Sequence, residues 1–210
     1  MTPFKNLVDT QLAAAVALSR GVPPQPAVAS DPKREDDLGR VAELELVCPG
    51  EFRRPIDRSA RVSPDAFDQV SRWDGRYPGP LAAGATRTAK TRAAWVALRR
   101  LYVSWEIQQF RWYPVSDLLQ RYQASRESGN GRYFLKGGSR VSPLFIDDVD
   151  KINWAFESEI SNLFAIYDAI YRENIPCIAT TNQTRAWWTL KMGDAFARRL
   201  FDDAHTLVQF

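Results

Sequence analysis

The stretch Leu144-Phe145-Ile146-Asp147-Asp148 constrains this chain most, because an apolar run breaks off in two adjacent carboxylates. A short run that is apolar at every residue, rather than at alternate ones, reads as a strand covered on both faces, as the strands of parallel sheets are. Such sheets bind ligands beyond the carboxyl ends of their strands, which is where the two acids fall. A Mg²⁺-nucleotide site is therefore the first chemistry to test. Upstream stand Gly84, Ala85, Thr86, Arg87, Thr88, Ala89, Lys90 and Thr91, a phosphate-binding loop with one glycine changed.

A loop of this kind works by turning backbone N–H groups inward around phosphate, while a lysine reaches the β and γ oxygens and a hydroxyl ligates Mg²⁺. Lys90 and Thr91 supply the last two, and Gly84 the tight departure from a strand. Arg87 and Ala89 stand where glycine is common or expected. Because Ala89 lies just before the lysine, at a helix start, ordinary helical angles are expected there. Of the two acids, Asp147 is assigned to Mg²⁺ through its water shell and Asp148 to the attacking water. The bland alternative is a solvated turn, continued by Asp150 and Lys151.

Around these motifs strand and helix patterns alternate. Strands are expected at Leu81–Ala83, Phe110–Tyr113, Leu144–Asp147, Ile175–Thr181 and Thr206–Phe210. Helices are expected from Ser63-Pro64 onward, where serine can cap and proline opens the first turn, from Lys90 to Ser104, and from Ser116 to Ala124. The clearest helix carries Phe156, Ile160, Leu163, Tyr167 and Ile170 as one apolar stripe. Ser125 to Arg140 reads as a glycine- and charge-rich connection. Such alternation implies an α/β fold, a parallel sheet with helices on both faces. Ahead of it, Thr2 to Arg20 suits a short helix and the proline-rich, charged stretch Gly21 to Asp37 a flexible linker. The expected division is residues 1–43, an N-terminal helix and linker, and residues 44–210, the core.

Bulk properties narrow the class. With 210 residues, 45% of them hydrophobic, one good core can be buried but hardly two. A formal net charge of +3 permits nucleic-acid contact without requiring it. Two cysteines, Cys48 and Cys177, and the single His205 support neither a disulfide framework nor a zinc site. The apolar run Leu12–Leu18 is short and preceded by Asp9, unlike a signal peptide, and no segment reaches the roughly 20 apolar residues of a membrane span, so a cytoplasmic protein is expected.

Pro143 to Lys151, Ala179-Thr180-Thr181-Asn182 and Gly193-Asp194-Ala195-Phe196-Ala197-Arg198-Arg199-Leu200 resemble the Walker B, sensor 1 and arginine-finger segments of DnaC/IstB-type ATPases, with a degenerate Walker A loop before them. These are AAA+ proteins that load replicative helicases or assist transposition. The resemblance runs from about Cys48 to Phe210. It implies a three-layer P-loop NTPase with a central five-stranded parallel sheet in the order 5-1-4-3-2, without the small helical lid. It implies ATP and Mg²⁺ as ligands, Asn182 orienting the lytic water, and Arg199, rather than Arg198, reaching a neighbouring subunit's nucleotide. A homo-oligomer is implied, acting in DNA replication on a replicative helicase or other replication protein and on single-stranded DNA. A transposase helper, or a nucleotide-binding scaffold that does not hydrolyse ATP, fits the same residues.

For DNA contact, Arg126, Arg132, Lys136 and Arg140 are the candidates, on a loop whose charge could face a central channel. Trp105, Phe110, Trp112 and Tyr113 could stack bases, but aromatic residues at the end of a helix and on a strand more commonly serve the core. Trp187 and Trp188 are expected to pack against the core or a neighbouring subunit.

Overall fold

The computed structural model describes residues 32–53, 62–137 and 141–210. The helix read at Thr2–Arg20 and the candidate Arg140 lie outside them. The chain divides into units 1–37 and 38–210, and the architecture below is that of the second.

Five strands, β1 (Gly79–Ala83), β2 (Arg111–Pro114), β3 (Leu144–Asp147), β4 (Cys177–Thr181) and β5 (His205–Gln209), form one sheet in the order β2-β3-β4-β1-β5. Every pairing is parallel, with Leu81 opposite both Ala179 and Leu207, and Ile146 opposite both Tyr113 and Ala179. Read from the other edge this is 5-1-4-3-2, the expected order.

The period of two along each strand explains the three layers. Leu81, Ala83, Leu144, Ile146, Cys177 and Ala179 point to one face and Ala82, Phe145, Ile178 and Val208 to the other, and each set nucleates its own core. On the first face pack α5 (Val115–Glu127), α6 (Gly131–Lys136) and α7 (Glu157–Arg172); on the second pack α3 (Pro64–Ser71) and α4 (Lys90–Val103). The three central strands are buried along their length except at Asp147, the last residue of β3, because both faces are covered, whereas Thr206, Leu207 and Gln209 on the edge strand β5 are exposed.

Local signals account for most elements. Ser63 accepts from the Ala66 N–H at 3.4 Å, and Pro64 takes the first turn of α3. On α7, Leu163, Ile166, Tyr167 and Ile170 are fully buried, while Phe156, ahead of the helix, is 55% exposed, so the stripe starts later than its sequence suggests. Ahead of these lie a long helix, α1 (Pro32–Val47), and a single turn, α2 (Gly50–Arg53). The first begins inside the stretch read as linker. Its Arg40 lies over the rings of Trp105 (3.5 Å) and Tyr102 (4.3 Å) and donates to the carbonyls of Tyr102 and Ile107, fastening α1 to the end of α4.

The connection Ser125–Arg140 is not simply a loop, because α5 runs on to Glu127 and α6 follows. Arg111 makes the difference. Its guanidinium donates to the carbonyls of Phe134, Leu135 (2.7 Å) and Ser142 (3.0 Å) and to the Ser142 hydroxyl (3.0 Å), tying α6 to the sheet edge. Gly137, at φ 79, ends α6 where a Cβ would meet Ser142 Oγ at 2.2 Å. Among the described residues, no helix is long and apolar enough to cross a membrane.

Candidate nucleotide-binding site

The loop leaves β1 at Gly84, whose N–H donates to the Thr181 carbonyl of β4 at 3.2 Å. A Cβ at this glycine, which has φ 152, would stand 2.4 Å from the Phe210 carbonyl oxygen, so no other residue fits. Arg87 (φ 64) and Ala89 (φ 67, ψ 20) are both left-handed. This corrects the helical angles expected at Ala89. The reason is the loop's own geometry, since left-handed residues are what turn successive N–H groups toward one centre as an anion nest. Glycine is missing at both positions where the backbone asks for it.

Lys90 opens α4 with its side chain turned back into the loop. Its Nζ donates to the carbonyls of Gly84 (2.9 Å) and Ala85 (2.6 Å) and to Thr88 Oγ1 (3.3 Å), and the residue is buried. Burial lowers the pKa of this ammonium, while Asp148, Asp150 and Asp147 pull it the other way. A buried cation within the field of three carboxylates, at the start of a helix and on a loop with two left-handed residues, is suited to polyphosphate.

The acids follow β3. Asp147 Oδ1 accepts from Thr91 Oγ1 at 2.9 Å and from Thr180 Oγ1 at 2.6 Å, and burial pushes its carboxyl pKa up against those two bonds. Asp148 turns the chain with φ 53, a conformation aspartate tolerates, and its N–H donates to Thr180 Oγ1 at 2.8 Å. From the end of β4, Asn182 Nδ2 reaches Asp148 Oδ1 at 3.3 Å. The sequence-named Lys90, Thr91, Asp147, Asp148 and Asn182 thus meet at the carboxyl ends of β1, β3 and β4.

Three residues of this network were not singled out by sequence: Thr180, Thr181 and Asp150. Asp150 is 7% exposed and accepts from Thr181 Oγ1 (3.0 Å), the Asn182 N–H (2.7 Å) and Asn182 Nδ2 (3.4 Å). The turn read as solvated is therefore built inward, and the available signal was an aspartate set between the apolar Val149 and Ile152, both buried.

Arg199 stands elsewhere. It opens a π-helical turn, Arg199–Asp203, ahead of β5 and so at the amino end of the sheet. Its guanidinium lies 4.0 Å from the Tyr171 ring centre, with nitrogens 3.4 Å from Asp168 and 3.8 Å from Asp203. Arg198 is more exposed and lies 3.6 Å from Asp203. Of the DNA candidates, Arg126 donates to Asn162 Oδ1 at 2.7 Å and Lys136 pairs with Glu173 at 2.7 Å, so neither hangs free in a loop as expected. Arg132 is exposed on α6.

The aromatic residues pack together. Trp95 meets Phe110, Trp112 and Phe145 at 5.4–6.1 Å between ring centres, and Tyr113 meets Phe134 at 5.9 Å. Trp188, fully buried on α8 (Arg185–Met192), contacts Trp154, Trp187 and Phe196 of α9 (Asp194–Arg198), and its Nε1 donates to Thr181 Oγ1 at 3.3 Å.

No family model matches the sequence, and no curated protein does. Solved structures do match the fold. The DnaC helicase loader superposes with a TM-score of 0.55 at 17% identity, over 70% of this chain and 86% of the loader. Domain III of the Thermotoga maritima replication initiation protein DnaA gives 0.56 at 14% identity, over 76% of this chain and 65% of that one. AMPPCP-bound DnaA from Aquifex aeolicus gives 0.52 at 17%, over 70% of this chain and 44% of that protein, so the chain spans less than half its length.

The fold is that of an AAA+ core. The loop after β1, the acids after β3 and the asparagine after β4 occupy one end of the sheet and are joined by hydrogen bonds.

Proposed function

We propose that this protein is an ATP-binding AAA+ ATPase of the helicase-loader type, working as a homo-oligomer in DNA replication. The observation that carries the reading is the 2.9 Å bond between Thr91 and Asp147 beside the buried Lys90, which joins a phosphate loop to a metal-binding acid across two strands. The donor set fits Mg-ATP. A hydroxyl and a single carboxylate are hard oxygen ligands, and Mg²⁺ commonly takes one or two carboxylates plus substrate phosphates rather than an all-protein cage.

Lys90 and the N–H groups of Gly84 to Thr91 hold the phosphates, and Thr91 and Asp147 hold the metal. Bound there, Mg-ATP supplies an electrophilic γ-phosphoryl group. Asp148 accepts a hydrogen bond from the attacking water, and Asn182 beside it orients that water. Arg199 completes a neighbouring subunit's site. To do so it must exchange its contacts with Asp168, Asp203 and the Tyr171 ring. The partners that suit this assignment are a replicative helicase or another replication protein and single-stranded DNA. One structurally similar initiator, DnaA, is known bound to AMPPCP and single-stranded DNA.

One observation favours a second reading, a nucleotide-binding scaffold that does not hydrolyse: Arg87 and Ala89 hold left-handed angles without being glycine. A transposase helper would share the proposed chemistry. Thermal unfolding with and without Mg-ATP tests the common core. At about 100 times Kd, ATP should stabilise the protein by roughly 2.7 kcal/mol, and Lys90→Ala should abolish the shift. An unshifted wild-type melt would end the nucleotide reading. Turnover with and without single-stranded DNA then separates ATPase from scaffold.

A further inference from the structure

Asp150 is the one buried acid of the site to which the reaction gives no role. It lies between Val149 and Ile152, whose burial fixes the backbone on either side, and all its hydrogen bonds run to the end of β4. The two oxygens divide the work. Oδ1 accepts from Thr181 Oγ1 and from the Asn182 backbone N–H, while among the described residues Oδ2 accepts only from the Asn182 side-chain amide.

That amide nitrogen is shared between Asp148 Oδ1 at 3.3 Å and Asp150 Oδ2 at 3.4 Å. Two carboxylates can face only the N–H side of an amide, because its carbonyl would repel both. With both hydrogens so engaged, Asn182 has one orientation left, and its carbonyl oxygen is presented away from the acids as an acceptor. A single carboxylate would leave one N–H unpaired and the amide free to swing. Thr181 extends the clamp, since its hydroxyl donates to Asp150 while accepting from Trp188 Nε1, so the network ends in a fully buried ring.

We propose that Asp150 is a positioning residue for ATP hydrolysis, acting through Asn182 by locking its side-chain amide in the orientation that meets the lytic water. This rests on the ATPase reading above.

Asp150→Asn is the discriminating substitution. The asparagine keeps one oxygen for Thr181 and the Asn182 N–H, and replaces the other by an NH₂ group that cannot accept from the Asn182 amide. ATP affinity, turnover and melting temperature are measured for wild type, Asp150→Asn, Asn182→Ala and the double variant. Turnover should fall roughly 10- to 100-fold in Asp150→Asn, as for other residues that orient a functional side chain, with the Kd for ATP unchanged within about threefold. In the Asn182→Ala background Asp150→Asn should cost nothing further, because residues acting through one group are not additive. An equal loss in both backgrounds, or wild-type turnover in Asp150→Asn, overturns the proposal. Wild-type protein that binds ATP without hydrolysing it also overturns it, and shows the fault in the ATPase reading rather than in the clamp.

Discussion

The two ends of the sheet differ in how their buried polar groups are treated. At the carboxyl ends of β1, β3 and β4, Thr180, Thr181, Asp147, Asp150 and Lys90 all have hydrogen-bond partners despite burial. At the amino end, the Tyr167 hydroxyl and the His205 imidazole are buried among apolar side chains, burial pushing the pKa of the first up and of the second down, while Arg199 pairs loosely with Asp168 and Asp203. Buried groups left unpaired each cost free energy, while a satisfied network holds side chains in one geometry. The carboxyl end is thus organised for chemistry, and the amino end holds titratable groups whose charged forms burial disfavours. Substitutions of the acids and Asn182 at the first end should act chiefly on turnover, and those at the second chiefly on stability.

Arg199 is the test with the largest effect, because it would break that division. If it serves a neighbouring subunit, Arg199→Ala should bind ATP normally yet lose about 10³- to 10⁵-fold in rate. Mixing it with Lys90→Ala protein should restore part of the activity, since each variant completes the other's site. A mixture as inactive as its parts, with a wild type that stays monomeric in ATP, would return Arg199 to a purely structural role beside Tyr171 and Asp168.

His205 sharpens the comparison from the stability side. Burial lowers its pKa from the usual range to about 4, with nearby backbone groups of Gly79 and Cys177 offsetting only part of the effect. The unfolded chain binds a proton as pH falls through about 6.5, but the folded protein resists until about 4. The stabilisation is therefore complete above the unfolded value and is lost across that window as pH falls, amounting to roughly 3 kcal/mol. Urea unfolding at about pH 7 and about pH 4.5 should show a larger drop for wild type than for His205→Leu, which removes the titrating group. Equal drops would mean that the imidazole is protonated in the fold.

What could be read from the sequence follows the same physical line. The run Leu144–Asp148, the lysine and threonine of the loop and the stripe on α7 are local patterns, and each carries its period or spacing within one element. Asp150 carries no such mark. Only the return of β4 beside β3 brings Thr181 and Asn182 to it and turns a solvated-looking turn into a buried clamp. Helix α6 is equally hidden, being too short to show a period and held by Arg111 from the neighbouring strand. The AAA+ order of strands came from resemblance, since parallel strands joined by helices admit several orders that periodicity cannot separate.

The smallest expected effect concerns Ala89, one of three residues other than glycine that hold left-handed angles at the carboxyl end, with Arg87 and Asp148. An L-residue with a Cβ pays about 1–2 kcal/mol to hold left-handed angles, and Ala89 does so at φ 67. Glycine removes that cost but brings back about 0.4–1 kcal/mol of unfolded-state entropy. Ala89→Gly should therefore stabilise the protein by about 1 kcal/mol, a rise of roughly 2–4 °C in Tm for a chain of this size. Arg87 makes a poorer test, because its substitution also removes a charge beside the phosphates. Turnover should change less than stability, since the substitution leaves the N–H at position 89 in place. A lower Tm would mean that the residue is helical in solution and that the loop carries no strain. A turnover gain above about tenfold, or 1.4 kcal/mol of barrier, would instead show that the native loop binds nucleotide in a conformation poorly matched to hydrolysis, and would favour the scaffold reading.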